Sequence, residues 1–257
     1  MIFSGWRLVI SLSVVGTLAV CGSTWALEED EYGEQRAQMI RVIENTAQAI
    51  SFIFGYKGPN RGDQDLDRRV LEVMAHTPRH LFVPEAERDK AYADRPLRIG
   101  YGQTISQPFM VALMTHLLAT EPDHVVLEVG TGSGYQAAIL APLVRRVCTI
   151  EIIPELGMSA AQRLERLDYA NILTRIGDGY YGWEECGPFD GIVVTAAADH
   201  IPPPLLEQLK PEGRMVIPVR GPFIFQHLVL ATKGTEGRVY TRQLLPVAFV
   251  PLLREDE

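Results

Sequence analysis

Residues 127–135 read LEVGTGSGY, an acid set in a short apolar run and followed at once by Gly130, Gly132 and Gly134. Val125, Val126, Leu127 and Val129 are apolar and mostly stiff at χ1, which predicts a strand buried on both faces, the central strand of an α/β sheet. Glycines directly after such a strand let the backbone turn tightly and approach a ligand closely. Tyr135 to Val144 (YQAAILAPLV) is rich in helix formers, broken late by Pro142, so the loop stands where a strand passes into a helix. That position, more than the glycine count, marks it as a cradle for a nucleotide-like ligand.

The rest of the chain alternates in the same way. The patterns predict a packing helix over Glu34 to Phe54, a linker over Gly55 to Asp65, a short helix over Leu66 to Ala75, and an irregular segment over Thr77 to Pro84. Arg95 to Ser106 has no clean period and is expected as a loop. Pro108 to Ala119 is expected as a helix with Ser106 or Gln107 at its N-cap. Beyond the glycine loop come strands at Val147 to Ile153, Ile172 to Ile176, Asp190 to Thr195, Arg214 to Val219, His227 to Thr232 and Gln243 to Val250. Helices are expected at Leu156 to Leu167 and Leu205 to Leu209. Repeated β and α segments of this size imply an α/β fold with a doubly wound, mainly parallel sheet, helices on both faces and an N-terminal helical extension. Ligands in such sheets bind at the carboxyl ends of the strands near the switch point.

Composition narrows the partners. With 24 Lys and Arg against 32 Asp and Glu, the net charge of −8 argues against nucleic acid, which needs a clustered basic face. The six histidines show no metal-ligand spacing, and Pro78 interrupts His76 and His80. Cys21, Cys148 and Cys186 contain no CxxC pair; Cys148 reads as a small buried thiol, and no disulfide framework is implied.

The N-terminus has its own character. Arg7 is the sole charged side chain before Glu28, and Leu8 to Val20 is an uncharged apolar run of 13 residues, the length of a signal-peptide core. Small residues at Thr24 and Ala26 suit cleavage after Ala26, and the acids that follow favour translocation of the downstream side. The expected division is 1–26 as signal peptide or anchor, 27–64 as helical extension and linker, and 65–257 as the catalytic domain. Export or anchoring to the inner membrane by this segment is the expectation, with a cytoplasmic location as its alternative. Lipidation at Cys21 is disfavoured because Val20 stands where a small residue is wanted.

The loop itself discriminates between ligands. A dinucleotide fingerprint would need glycine at position 135, where this chain has Tyr135. Glu151 ends the next strand about 20 residues on, where a carboxylate can accept from both ribose hydroxyls; a solvated strand-end acid is the alternative. Asp178, in IGDGY, can accept from an exocyclic adenine amine or simply make an Asp-Gly turn.

From about Asp65 to Leu253 the chain resembles the protein-L-isoaspartate O-methyltransferases. The resemblance is carried by PRHLFVP at 78–84, QTISQP at 103–108, VLEVGTGSGYQAAILA at 126–141, IEI at 150–152, GDG at 177–179, FDGIVVTAA at 189–197, IPPPLLEQLKPEGRMVIPV at 201–219 and FVPL at 249–252. It implies a Rossmann-like methyltransferase that uses S-adenosylmethionine, leaves S-adenosylhomocysteine, needs no metal, and methylates the free carboxylate of L-isoaspartyl residues in damaged proteins or peptides. The ester then closes to a succinimide unaided. The resemblance makes Ser106 the active-site serine and places Gly130, Thr131, Gly132, Ser133 and Gly134 around the methionine moiety. Glu128 is then expected to order that loop, Glu151 to hold the ribose, and Asp178 with Gly179 to lie at the adenine. Thr104, Arg79, His80 and Thr195 are expected beside the substrate. A monomer is expected, touching membrane only through its N-terminal segment. Two other classes share the same loop: a small-molecule carboxyl methyltransferase and a non-catalytic exported binding protein.

Overall fold

The computed structural model describes Met1 and residues 24–54, 65–221 and 225–255. Residues 2–23 of the expected leader and 55–64 of the expected linker therefore lie outside the described residues. Two compact units are present, 1–34 and 35–257. In the first, helix α1 (Thr24–Phe54) begins. All other elements belong to the second.

Seven strands form the main sheet: β3 (Val125–Val129), β4 (Arg146–Glu151), β5 (Ile172–Ile176), β6 (Phe189–Val194), β7 (Leu209–Arg220), β8 (Gln226–Lys233) and β9 (Val239–Val247). Their order is β5-β4-β3-β6-β7-β8-β9. The first five strands of this order pair in parallel, and β8 and β9 close the β7 edge antiparallel. The sheet is thus doubly wound and mainly parallel. The chain winds outward from β3 through β4 to β5, then crosses back to β6 on the other side of β3. That reversal leaves a crevice between the carboxyl ends of β3 and β6, into which Gly130 and Thr195 emerge.

All five residues of β3 are buried, as its unbroken apolar pattern requires. Val125, Leu127 and Val129 join one core layer with Ile150, Ile192 and Ile217. Each such side chain contributes about 1.5–3 kcal/mol by leaving water, so the register of the central strand is set by its own residues. Glu128 points to the opposite face and is fully buried beside the backbone of Ala137 in α4 (Tyr135–Leu140). The buried helix α3 (Pro108–Leu118) packs near α4 against β6 and β7. Helix α5 (Pro154–Arg166) packs on β4 and β5, and α6 (Pro203–Gln208) on β7. Helix α2 (Arg68–His76) packs against α3 and α4.

Two expectations are corrected. Arg95 to Ser106 is not a plain loop: β1 (Leu97–Gly100) and β2 (Gln103–Ile105) form an antiparallel hairpin. Its strands are too short to show a period, and the tip at Tyr101 carries a positive φ of 52° that is rare outside glycine. Cys148 is buried, though not as a free thiol: it is bonded to Cys186, with the Cα atoms 6.6 Å apart. The connection from β5 to β6 lays Cys186 in the core layer that holds Cys148. Sequence spacing carries no sign of a contact made only by that connection.

Candidate active site

The glycine loop is held in shape by both neighbouring strands. Gly130 and Thr131 donate from their backbones to the Ile150 carbonyl at 2.9 and 3.1 Å, while Thr195 N–H donates to the Val129 carbonyl at 2.9 Å. The Thr195 hydroxyl closes the other side, donating to the Gly130 carbonyl at 2.7 Å. Gly130 has φ 94°, and a Cβ there would collide with that hydroxyl. Only glycine satisfies both conditions at the crevice.

Glu151, at the end of β4, reaches back over the loop. Its Oε2 accepts the Gly132 N–H at 2.7 Å and its Oε1 the Ile153 N–H at 3.0 Å. The carboxylate lines a cavity shared with Gly130, Gly132, Gly179 and Thr195. One wall of that cavity is the C-terminal segment Val250 to Leu253, anchored by paired backbone bonds between Ala197 and residues 250 and 252. Asp178 secures the next turn: Oδ1 accepts Tyr180 N–H at 2.9 Å, and Oδ2 accepts Arg254 Nε at 2.9 Å. Arg254 also lies over the Tyr180 ring, 3.6 Å from its centroid. Gly179 therefore faces the cavity while the Asp178 side chain ties down the C-terminal arm.

A second cavity shares Gly130, Gly132 and Thr195 with the first and is bordered further by Ser106, Glu128, Thr131 and Ser133. Here the Thr149 hydroxyl donates to Glu128 Oε2 at 2.6 Å and sits 2.6 Å from the Thr131 hydroxyl. Burial pushes the Glu128 carboxyl up to about 8, reinforced by the charge of Glu151 and opposed by the Thr149 hydroxyl and the Ala137 backbone. Gly134 enters α4 with φ 86° as its N-cap and lines neither cavity among the described residues.

The third cavity is a groove of about 540 Å³ that shares Thr104, Ser106 and Thr195 with the second. Among the described residues its lining carries no charged side chain. Ser106 stands at the junction. The N-cap of α3 is Gln107, whose side chain makes no capping bond and instead donates to Asp94 Oδ2 at 2.9 Å. Asp94 supplies the cap from a distance: its Oδ1 accepts the Phe109 N–H at 2.8 Å. The Ser106 hydroxyl is left without a hydrogen bond among the described residues, free for a ligand.

Arg79 and His80 depart from expectation. Neither borders the three cavities. Arg79 is wholly buried, with Nε donating to the Ala91 carbonyl at 2.8 Å, Nη2 to the Ser106 carbonyl at 2.7 Å, and its guanidinium 4.6 Å from the Tyr135 ring centroid. His80 is buried with Nδ1 2.7 Å from the Tyr92 hydroxyl. The motif PRHLFVP thus braces Ser106 through its backbone. Thr149 and Asp94, which the sequence did not single out, do as much for the site: neither sits in a motif, and their roles arise only once strands and hairpin are folded.

The family model for Protein-L-isoaspartate(D-aspartate) O-methyltransferase matches residues 61–257. The chain belongs to this family. Among its relatives, the protein-L-isoaspartate O-methyltransferase 2 of Syntrophobacter fumaroxidans is 60% identical over 231 residues, covering 90% of this chain and 91% of the relative. The protein-L-isoaspartate O-methyltransferase 1 of Cupriavidus necator is 52% identical over 246 residues, covering 96% and 92%. Among solved structures, a putative protein-L-isoaspartate O-methyltransferase from Plasmodium falciparum, in complex with S-adenosyl-L-homocysteine, is 27% identical with a TM-score of 0.64, covering 74% of this chain and 92% of that one. A second protein-L-isoaspartate O-methyltransferase structure shares the fold at 24% identity and a TM-score of 0.71, covering 84% of this chain and 65% of that one. No group of acids, histidines and cysteines able to hold a metal occurs among the described residues.

Proposed function

We propose that this methyltransferase moves a methyl group from S-adenosylmethionine to the free carboxylate of L-isoaspartyl residues in damaged proteins and peptides. The observation that carries this reading is the Ser106 hydroxyl, released from capping by Asp94 and set on the wall between the glycine-loop cavity and an uncharged groove.

The donor set suits the cofactor: a strand-end carboxylate at Glu151 for a ribose, and a glycine loop with an acid behind it for an amino-acid moiety. When bound, S-adenosylmethionine supplies an electrophilic methyl on a sulfonium. The protein need not remove a proton from its substrate, because a carboxyl with an ordinary pKa near 4 is already ionised at neutral pH. Ser106 donates a hydrogen bond to that carboxylate and fixes its direction, Thr195 shapes the junction, and the uncharged groove strips water from the attacking oxygen. Titration calorimetry with S-adenosylhomocysteine tests the cofactor half: saturable heat is expected, and its absence would refute the enzyme reading.

We further propose that the chain works in an oxidising compartment as a monomer that meets membrane only through its N-terminal segment. The apolar leader supports this, as does the buried Cys148–Cys186 disulfide, a bond that persists outside reducing cytosol. Fractionation with N-terminal sequencing and thiol titration checks it. A monomeric chain beginning near Leu27 with Cys148 and Cys186 oxidised is expected; a cytosolic chain beginning at Met1 with both thiols free contradicts it.

A further inference from the structure

Helix α1 carries a stripe at Met39, Ile43, Thr46 and Ile50, spaced four, three and four residues apart on one face. Met39 and Ile43 are fully buried in the body of the second unit. Thr46 and Ile50 continue the stripe, half-buried, and line the groove that also contains Ser106 and Thr195. The Thr46 hydroxyl is spent on the Val42 carbonyl at 2.8 Å, so it offers no free donor to the groove. Across from α1 the lining includes Phe109, Met110, Leu245 and Phe249. An apolar channel therefore runs from Ser106 to a wall that lies before residue 61, where the family match begins.

We propose that Ile50, with Thr46 behind it, is a specificity-determining wall of the substrate groove, selecting isoaspartyl peptides whose neighbouring side chains are apolar. The inference rests on the proposed function, since it takes the peptide as occupant. Continuity of the groove with the Ser106 junction supports that occupant. Among the described residues no charged side chain lines the groove, and this sets its chemistry, because a charged neighbour would lose its water there without gaining a partner. Ile50 acts on binding and leaves the chemistry to Ser106, so its signature is in KM more than in kcat.

The test compares two fluorescent isoaspartyl peptides of equal length, one flanked by leucine and valine and one by serine and glutamate. Methyl transfer from S-adenosylmethionine and, separately, binding by anisotropy with S-adenosylhomocysteine present are read for the wild type, Ile50→Ala and Ile50→Glu. The wild type is expected to bind the apolar-flanked peptide more tightly. Ile50→Ala should raise its KM about 5- to 10-fold with a small change in kcat, as loss of a few buried methyl and methylene contacts implies. Ile50→Glu should narrow or reverse the preference. Equal effects on both peptides, or none, would overturn the proposal. A wild type that binds with this preference but methylates neither peptide would refute the proposed activity while upholding the groove.

Discussion

Asp94 caps helix α3 from outside the helix, its Oδ1 accepting the Phe109 N–H at 2.8 Å. One hydroxyl cannot both cap a helix and hold a substrate, and this bond resolves the conflict for Ser106. Replacing Asp94 with Ala should cost about 1 kcal/mol of stability, the ordinary value of a lost cap. It should also lower kcat, because Ser106 becomes the nearest substitute for the cap. Urea unfolding beside steady-state kinetics checks both; a stability loss with kcat intact would separate the cap from the serine.

Arg79 is a strut, and its removal should act on stability before binding. Two carbonyls, that of buried Ala91 and that of half-buried Ser106, depend on its guanidinium. Arg79→Lys keeps a charge but lacks the planar fork that serves both, so a loss of about 1.5–3 kcal/mol is expected. Thermal unfolding and the KM for an isoaspartyl peptide discriminate: a normal melting temperature with a raised KM would return Arg79 to the substrate.

Glu128 gives the apoprotein a pH dependence of definite sign. Burial pushes its carboxyl up to about 8 in the fold, against about 4.3 for an ordinary glutamate. Between those values the folded state binds more protons than the unfolded, so stability from this group falls as pH rises through the window, by at most about 1.4 kcal/mol per unit. Glu128→Gln should flatten the slope of unfolding free energy between pH 5.5 and pH 8. Parallel slopes for the two proteins would show that Glu128 is ionised in the fold.

Gly130 and Gly237 separate backbone strain from close approach. Both have positive φ, 94° and 80°, but a Cβ at Gly130 strikes the Thr195 hydroxyl whereas Gly237 faces open space. Gly237→Ala should cost about 1–2 kcal/mol of stability alone. Gly130→Ala should in addition weaken S-adenosylhomocysteine binding at least about 10-fold, because the loop must shift. Calorimetry on the two variants decides; equal affinities would mean the loop absorbs the added methyl.

The central strands were legible because burial on both faces leaves an unbroken apolar signature, and β3 falls on the run its pattern marked, Val125–Val129. Glu151 and the glycine loop were legible because a strand end fixes where their atoms go. The β1–β2 hairpin was not, since strands of four and three residues show no period. Nor were the Cys148–Cys186 bond, the Asp94 cap or the Thr149 bridge, each a contact between segments whose approach only the folded topology decides. Arg79 and His80 show the converse: a motif marks that residues matter, and burial decides whether they touch the ligand or hold what does.

The account turns on a groove that presents the free α-carboxylate of an isoaspartyl residue to the cofactor across Ser106. The most direct measurement is transfer of a labelled methyl group from S-adenosylmethionine to an isoaspartyl peptide and, in parallel, to its normal aspartyl twin. Label should enter the isoaspartyl peptide as a base-labile ester and leave the twin unlabelled; equal labelling of both, or of neither, would contradict it.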